Sequence, residues 1–111
     1  MVHAVINPLT LEALQANAGA DFVVKLVEAF AQEAPALLAE LRTAAAVNDV
    51  ERFETAAHAL KSNGVTFGAT RLAEMARRLE WAGRVAGNGD LDELTAELAA
   101  VVVALRAMAR L

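Results

Sequence analysis

The chain contains no cysteine, which excludes disulfide frameworks, thiolate metal sites and thiol nucleophiles. Basic residues are in the minority, ten Lys and Arg against fourteen Asp and Glu, for a net charge of −4. Nucleic-acid binding driven by phosphate neutralisation needs a basic face, so this balance weighs against a nucleic-acid partner. The one basic cluster, Arg71, Arg77, Arg78 and Arg84, is interleaved with Glu74 and Glu80 and reads as a solvated helix face. Long apolar runs are also missing. The most apolar stretch, Leu98 to Leu105, falls far short of the roughly 20 residues that span a bilayer. The first eight residues carry no basic region and no apolar block of the signal-peptide kind. A cytoplasmic protein without a membrane partner is therefore expected. Proline (two) and glycine (six) are scarce, so few points exist at which helices can be broken.

Alanine is abundant, with 27 residues, and AVILMFWYC together make up 57% of the chain. Alanine loses no side-chain entropy in a helix, and Leu, Glu and Arg lose little, so the composition favours helix. A length of 111 residues suits one compact domain, residues 1–111, without room for a second core. Asn7-Pro8 predicts the cap and first residue of a short helix that ends at Asn17 to Gly19. Asp21 is expected to cap a long helix whose apolar series is Phe22/Val23, Leu26, Val27, Phe30, Leu37, Leu38 and Leu41. Pro35 predicts a kink or brief break in it.

Asn48-Asp49 predicts a turn and cap. The helix after it runs from Val50 to the region of Gly64 to Phe67, burying Phe53, Ala57, Leu60, Gly64 and Phe67. Gly68 marks the turn into a further helix, Ala69 to Val85, with Leu72, Met75, Ala76, Leu79 and Ala82 inward. Gly87-Asn88-Gly89 reads as the clearest break, and Asp90 as the cap of a last helix with Leu91, Leu94, Leu98, Val101, Val102, Leu105 and Met108 inward. The expected fold is all-α: an antiparallel up-down four-helix bundle with an additional short N-terminal helix.

His58 does not belong to that core. It lies one residue past Ala57, about 100° off the buried stripe. It shares a face with Glu51, Glu54, Lys61, Ser62 and Val65. Lys61 and Ser62, three and four residues on, are within side-chain reach of the imidazole. Lys61 can neutralise part of a dianionic group placed on the ring, and Ser62 can donate a hydrogen bond to it. An imidazole titrates near neutrality, so it offers a nucleophilic nitrogen without a general base. The same spacing also describes an ordinary solvated histidine–lysine pair.

The run Ala57-His58-Ala59-Leu60-Lys61-Ser62-Asn63-Gly64-Val65-Thr66-Phe67-Gly68-Ala69 decides between these readings. It resembles the signature of histidine phosphotransfer domains: Ala-His-x-Leu-Lys, a small-residue stretch, then Gly-Ala. Leu72 and Leu79-Glu80 follow at that family's spacing. Phe30, Pro35 and Leu41 match the preceding helix, and Asn48-Asp49 the turn before the histidine helix, so the likeness covers nearly the whole chain.

The resemblance implies that His58 is phosphorylated, that Lys61 stabilises the phosphoryl oxygens, and that Glu80 hydrogen-bonds the imidazole and fixes which nitrogen is free. Gly68 and Ala69 would form a structural turn. Many members have glycine directly after the lysine, where this chain has Ser62; Asn63 and Gly64 are expected to keep that area low. The implied partners are response-regulator receiver domains and a sensor or hybrid histidine kinase. Mg²⁺ would come from the receiver, with no cofactor held by this chain. Glu54, Val65, Phe22 and outward residues of the first helix are candidate contacts, with core packing the expected role of Phe22. No glycine-rich nucleotide motif is present, so a phosphocarrier without autonomous kinase activity is expected, as a monomer.

Three rival readings are open to test. Glu54 and His58 could supply two ligands of a metal-binding bundle, but the chain has only two histidines. Gly64 to Gly68 and the helix after it could form a helix-turn-helix. The bundle could also be a docking module of the same fold that is not phosphorylated.

Overall fold

The computed structural model describes residues 5–82 and 88–109. Those residues form five helices and no strand: α1 (Pro8–Ala18), α2 (Ala20–Ala46), α3 (Val50–Phe67), α4 (Thr70–Ala82) and α5 (Asn88–Ala109). α2 packs against α3, α3 against α4, α4 against α5, and α5 back against α2, while α1 lies against α2 and α3. Ion pairs fix the up-down sense. Glu40 meets Arg52 between α2 and α3, whereas Glu28 meets Arg106 and Arg42 meets Asp92 between α2 and α5. None of the described helices is long and apolar enough to cross a membrane.

Local chemistry sets most boundaries. Asn7 caps α1 by accepting from the Leu9 N–H, with Pro8 at the first helical position where no donor is needed. Asp49 caps α3 by accepting from the Arg52 N–H, and Asn48 turns the chain at φ 57°. Gly68 closes α3 in the left-handed conformation, φ 77°. The Ala69 N–H donates to the Gly64 carbonyl at 2.8 Å and the Gly68 N–H to the Val65 carbonyl at 3.3 Å, a Schellman ending. The Gly68 carbonyl in turn accepts from the Asn7 N–H at 2.8 Å, which ties the start of α1 to this turn.

Expectations about helix ends and faces fail at several points. Asp21 does not cap α2. Gly19, at φ 92°, separates α1 from α2, helix resumes at Ala20, and Asp21 falls in the first turn, where its charge favours the helix dipole. Pro35 causes no break. It deprives only the Ala31 carbonyl of its donor, and Pro35 lies at the surface, so α2 runs on to Ala46. Asp90 is not a cap either, because α5 has begun by Asn88. Gly87 of the anticipated break, like Val85 at the expected end of α4, lies outside the described residues. Ala82 is exposed rather than inward, at a recess between α4 and α5 beside Met75 and Asp90.

The core is one cluster to which every helix contributes. The expected stripe of α3, Phe53, Ala57, Leu60, Gly64 and Phe67, is buried throughout. Burying a phenylalanine such as Phe53 contributes about 1.5–3 kcal/mol. Phe30 and Phe67 meet at 5.5 Å between ring centroids, joining α2 to α3. Gly64 permits a close approach of α3 to α4: a Cβ there would lie 2.9 Å from the Ala73 backbone nitrogen. Leu91, Leu94, Leu98, Val101 and Leu105 of α5 are buried, with Val102 and Met108 half-buried.

Candidate functional site

The burial of Ala57, Leu60 and Gly64 orients α3, and that orientation puts His58 on the outside. Its side chain is 59% exposed. The adjacent α4 is oriented by Leu72, Ala76 and Leu79, and this turns Glu80 toward α3. His58 Nδ1 lies 2.9 Å from Glu80 Oε2, and Lys61 Nζ donates to Glu80 Oε1 at 2.8 Å. One carboxylate thus bridges the imidazole and the ammonium group. The Lys61 hydrogen bond is the chief reason that the Glu80 carboxyl is held below its ordinary value, against an opposing effect of desolvation; the His58 contact adds to the lowering. An ionised carboxylate can only accept, so Nδ1 is the N–H nitrogen, and in the neutral imidazole the lone pair then lies on Nε2. No partner occupies Nε2 among the described residues.

Ser62 is exposed one turn beyond His58, and its carbonyl accepts from the Thr66 hydroxyl at 2.9 Å. Glu54 is exposed one turn before. Val65 is 65% exposed toward the end of α3 where α2 begins. Phe22, expected in the core, is 51% exposed instead, because Val23 takes the inward position at the start of α2. Leu9 of α1 is 72% exposed. Gly64 does not lower the surface beside Ser62 as expected; it is buried against Ala73 on the other side of α3.

Sequence reasoning missed the Lys61–Glu80 contact. Nothing in a spacing of nineteen residues signals it, since it depends on the antiparallel register of α3 and α4. The basic cluster is internally neutralised: Arg77 and Arg78 both pair with Glu74, and Arg71 lies 3.7 Å from Glu97. Arg84 is outside the described residues. Trp81 points to solvent, 83% exposed, with the Arg77 guanidinium 6.0 Å from its ring centre. Gly64, the supposed start of a helix-turn-helix turn, is inside α3. No group of three or more His, Asp or Glu side chains among the described residues is placed to hold a metal ion.

Comparison with curated proteins and with solved structures returned no match. The profile of the Hpt domain family matches residues 25–107, which takes in α3, α4 and the His58–Glu80–Lys61 group. With three-quarters of its length matched and an all-helical bundle of the corresponding form, the chain belongs to the Hpt family, the histidine phosphotransfer domains of two-component phosphorelays.

Proposed function

We propose that His58 accepts a phosphoryl group from a receiver-domain aspartate, or from a kinase, and passes it to the aspartate of another receiver. The observation that carries this reading is the Glu80 bridge, which keeps the proton on Nδ1 and leaves Nε2 as the nucleophile. The Nε2 lone pair forms the N–P bond as the acyl-phosphate O–P bond breaks and the aspartate leaves as carboxylate. Onward transfer runs the same exchange in reverse. Such a transition state is loose, so the protein has to position groups and neutralise charge. Glu80 holds the ring and stabilises the positive charge that develops on it. Lys61, held beside the ring by the same carboxylate, faces the phosphoryl oxygens, and Ser62 supplies a hydroxyl donor on the next turn.

Mg²⁺ and the aspartate pocket belong to the receiver, and this chain has no kinase activity of its own. Glu54, Val65, Phe22 and Leu9 form the rim on which the receiver lands. Exposure of three large apolar side chains beside a polar centre supports this, because interfaces combine apolar anchors with polar surroundings. Histidine kinases and receivers are thus the partners, in the cytoplasm.

The test is phosphotransfer from a panel of phosphorylated receiver domains to wild type and to His58→Gln. Acid-labile, base-stable label on wild type alone is the expected result. No label from any receiver, or equal label on both proteins, would favour a docking module of the same fold.

A further inference from the structure

Trp81 is the most exposed large apolar side chain among the described residues, although tryptophan is a residue type that folded chains mostly bury. It follows directly on Glu80, whose carboxylate holds His58 and Lys61. At about 100° per residue, the order round α4 is the buried Leu72, Ala76 and Leu79, then Ala73 and Glu80 toward α3, then Arg77, then Trp81. Arg77 and Trp81 therefore continue the outer surface that starts at His58. Glu74 fixes Arg77 by accepting two hydrogen bonds, from Nε at 3.0 Å and from Nη2 at 2.6 Å. The guanidinium so held lies 6.0 Å from the Trp81 ring centre, within range of a cation–π attraction that steadies the ring in its exposed position.

We propose, resting on the phosphotransfer reading of His58, that Trp81 steadied by Arg77 anchors the receiver domain that reaches the imidazole, so that the docking surface runs from α3 onto α4. Position selects this occupant. One peptide step to Glu80, the length of the Glu80 side chain and its 2.9 Å contact with His58 Nδ1 put the Trp81 Cα within about 12 Å of the imidazole. A specific interface covers about 800 Å² on each partner, a disc of about 16 Å radius. A receiver whose aspartate meets His58 Nε2, docked with a footprint of that size, extends over Trp81.

The anchor also balances the rim. Val65 lies seven residues past His58, about 10 Å along α3, and Leu9 belongs to the same end, where the Asn7 N–H is tied to the Gly68 carbonyl. α4 runs antiparallel to α3, with Gly64 against Ala73 and His58 against Glu80, so Trp81 comes level with the turn of α3 before His58. A receiver seated over the imidazole then meets apolar side chains on two sides, at Val65 and at Trp81. Tryptophan and arginine are enriched among the residues that carry interface energy, and a ring already held in place loses little freedom on docking.

Initial rates of phosphotransfer to the whole chain, measured against the concentration of the phosphorylated receiver that labels wild type fastest, test the proposal. Trp81→Ala should raise the half-saturating receiver concentration by about tenfold or more, with the maximal rate and the helical circular dichroism unchanged. Trp81→Phe, which keeps an aromatic face for Arg77, should lose less. Phosphoramidate, a donor too small to touch α4, should label His58 equally in wild type and in Trp81→Ala. An unchanged half-saturating concentration in Trp81→Ala would overturn the proposal and leave the phosphotransfer reading intact. A lower maximal rate, or weaker labelling by phosphoramidate, would overturn it too, by showing a damaged His58 site. A wild-type dimer that Trp81→Ala dissociates in sedimentation velocity would give the ring to a second copy of the chain instead. No label from any receiver would sink the phosphotransfer reading itself, and the proposal with it.

Discussion

Replacing Gly64 with alanine puts a methyl group where α3 and α4 touch. The new Cβ would lie 2.9 Å from the Ala73 nitrogen and 3.0 Å from its Cα and Cβ. Two of these atoms are backbone and cannot rotate away, so α4 as a whole has to move by some tenths of an ångström. Overpacking of this kind costs about 1–3 kcal/mol. Alanine returns about 0.5–1 kcal/mol through its better helix propensity. Taken at their midpoints the two leave a loss of about 1.3 kcal/mol, which for a chain of this length corresponds to a fall in Tm of about 5–10 °C. Urea unfolding followed by circular dichroism should show a lower midpoint at unchanged slope. Gly89→Ala isolates the propensity effect, because a Cβ on Gly89 meets nothing within 4 Å; that variant should be no less stable than wild type. A Gly64→Ala protein as stable as wild type would refute the close-packing explanation of this glycine.

Ala57 is fully buried one residue before His58, and Ala57→Glu strands a charge in the core. The cost, about 3–5 kcal/mol for an unpaired buried charge, approaches the whole stability of a small domain, so cooperative unfolding should be lost or displaced to far lower temperature. Lys61→Ala should slow phosphoryl acceptance without abolishing it, since Glu80 still holds the ring; an unchanged rate in single-turnover transfer would remove Lys61 from the mechanism. The Glu80 carboxyl, lowered from its ordinary 4.5 chiefly by Lys61, should titrate below that value when followed by carboxyl-carbon NMR. Because the folded value is the lower one, the associated stability is present above the ordinary value and is lost as pH falls through the folded one. Lys61→Ala should move the titration upward more than His58→Gln does, and the reverse order would contradict the bridge as drawn.

Where side chains are large or caps are chemically specific, the sequence was readable. Phe53, Leu60 and Phe67 mark a helical stripe unambiguously, and the Asn7-Pro8 and Asp49 caps act through hydrogen bonds within two or three residues. Ala34, Ala44 and Ala56 are just as buried and gave no signal, because alanine is equally at home on either side of a helix. Phe22 shows the opposite error. Phe22 and Val23 compete for one inward position, and only the packing of α2 against its neighbours awards it to the smaller residue. Asp21 and Asp90 were misplaced because a good capping residue also suits the first helical turn, and Gly19 ended α1 through backbone conformation alone.

His58 was legible as an exposed residue, and its likeness to the phosphotransfer signature followed from local sequence, since Ala57 to Ala69 is a single helix and its closing turn. Local periodicity determines which side of α3 faces outward, because that depends only on the hydrophobic residues of α3 itself. The register between α3 and α4 is different. It is set by Gly64 meeting Ala73 and by a turn tied down at Gly68, and it alone brings Glu80 to both His58 Nδ1 and Lys61. The sequence by itself therefore determined the helices, the inward face of α3 and the identity of the exposed imidazole. Glu80 was named from the family likeness, but tertiary structure decided that the same carboxylate also holds Lys61 and which ring nitrogen it meets, because a hydrogen bond across nineteen or more residues exists only after the helices have packed.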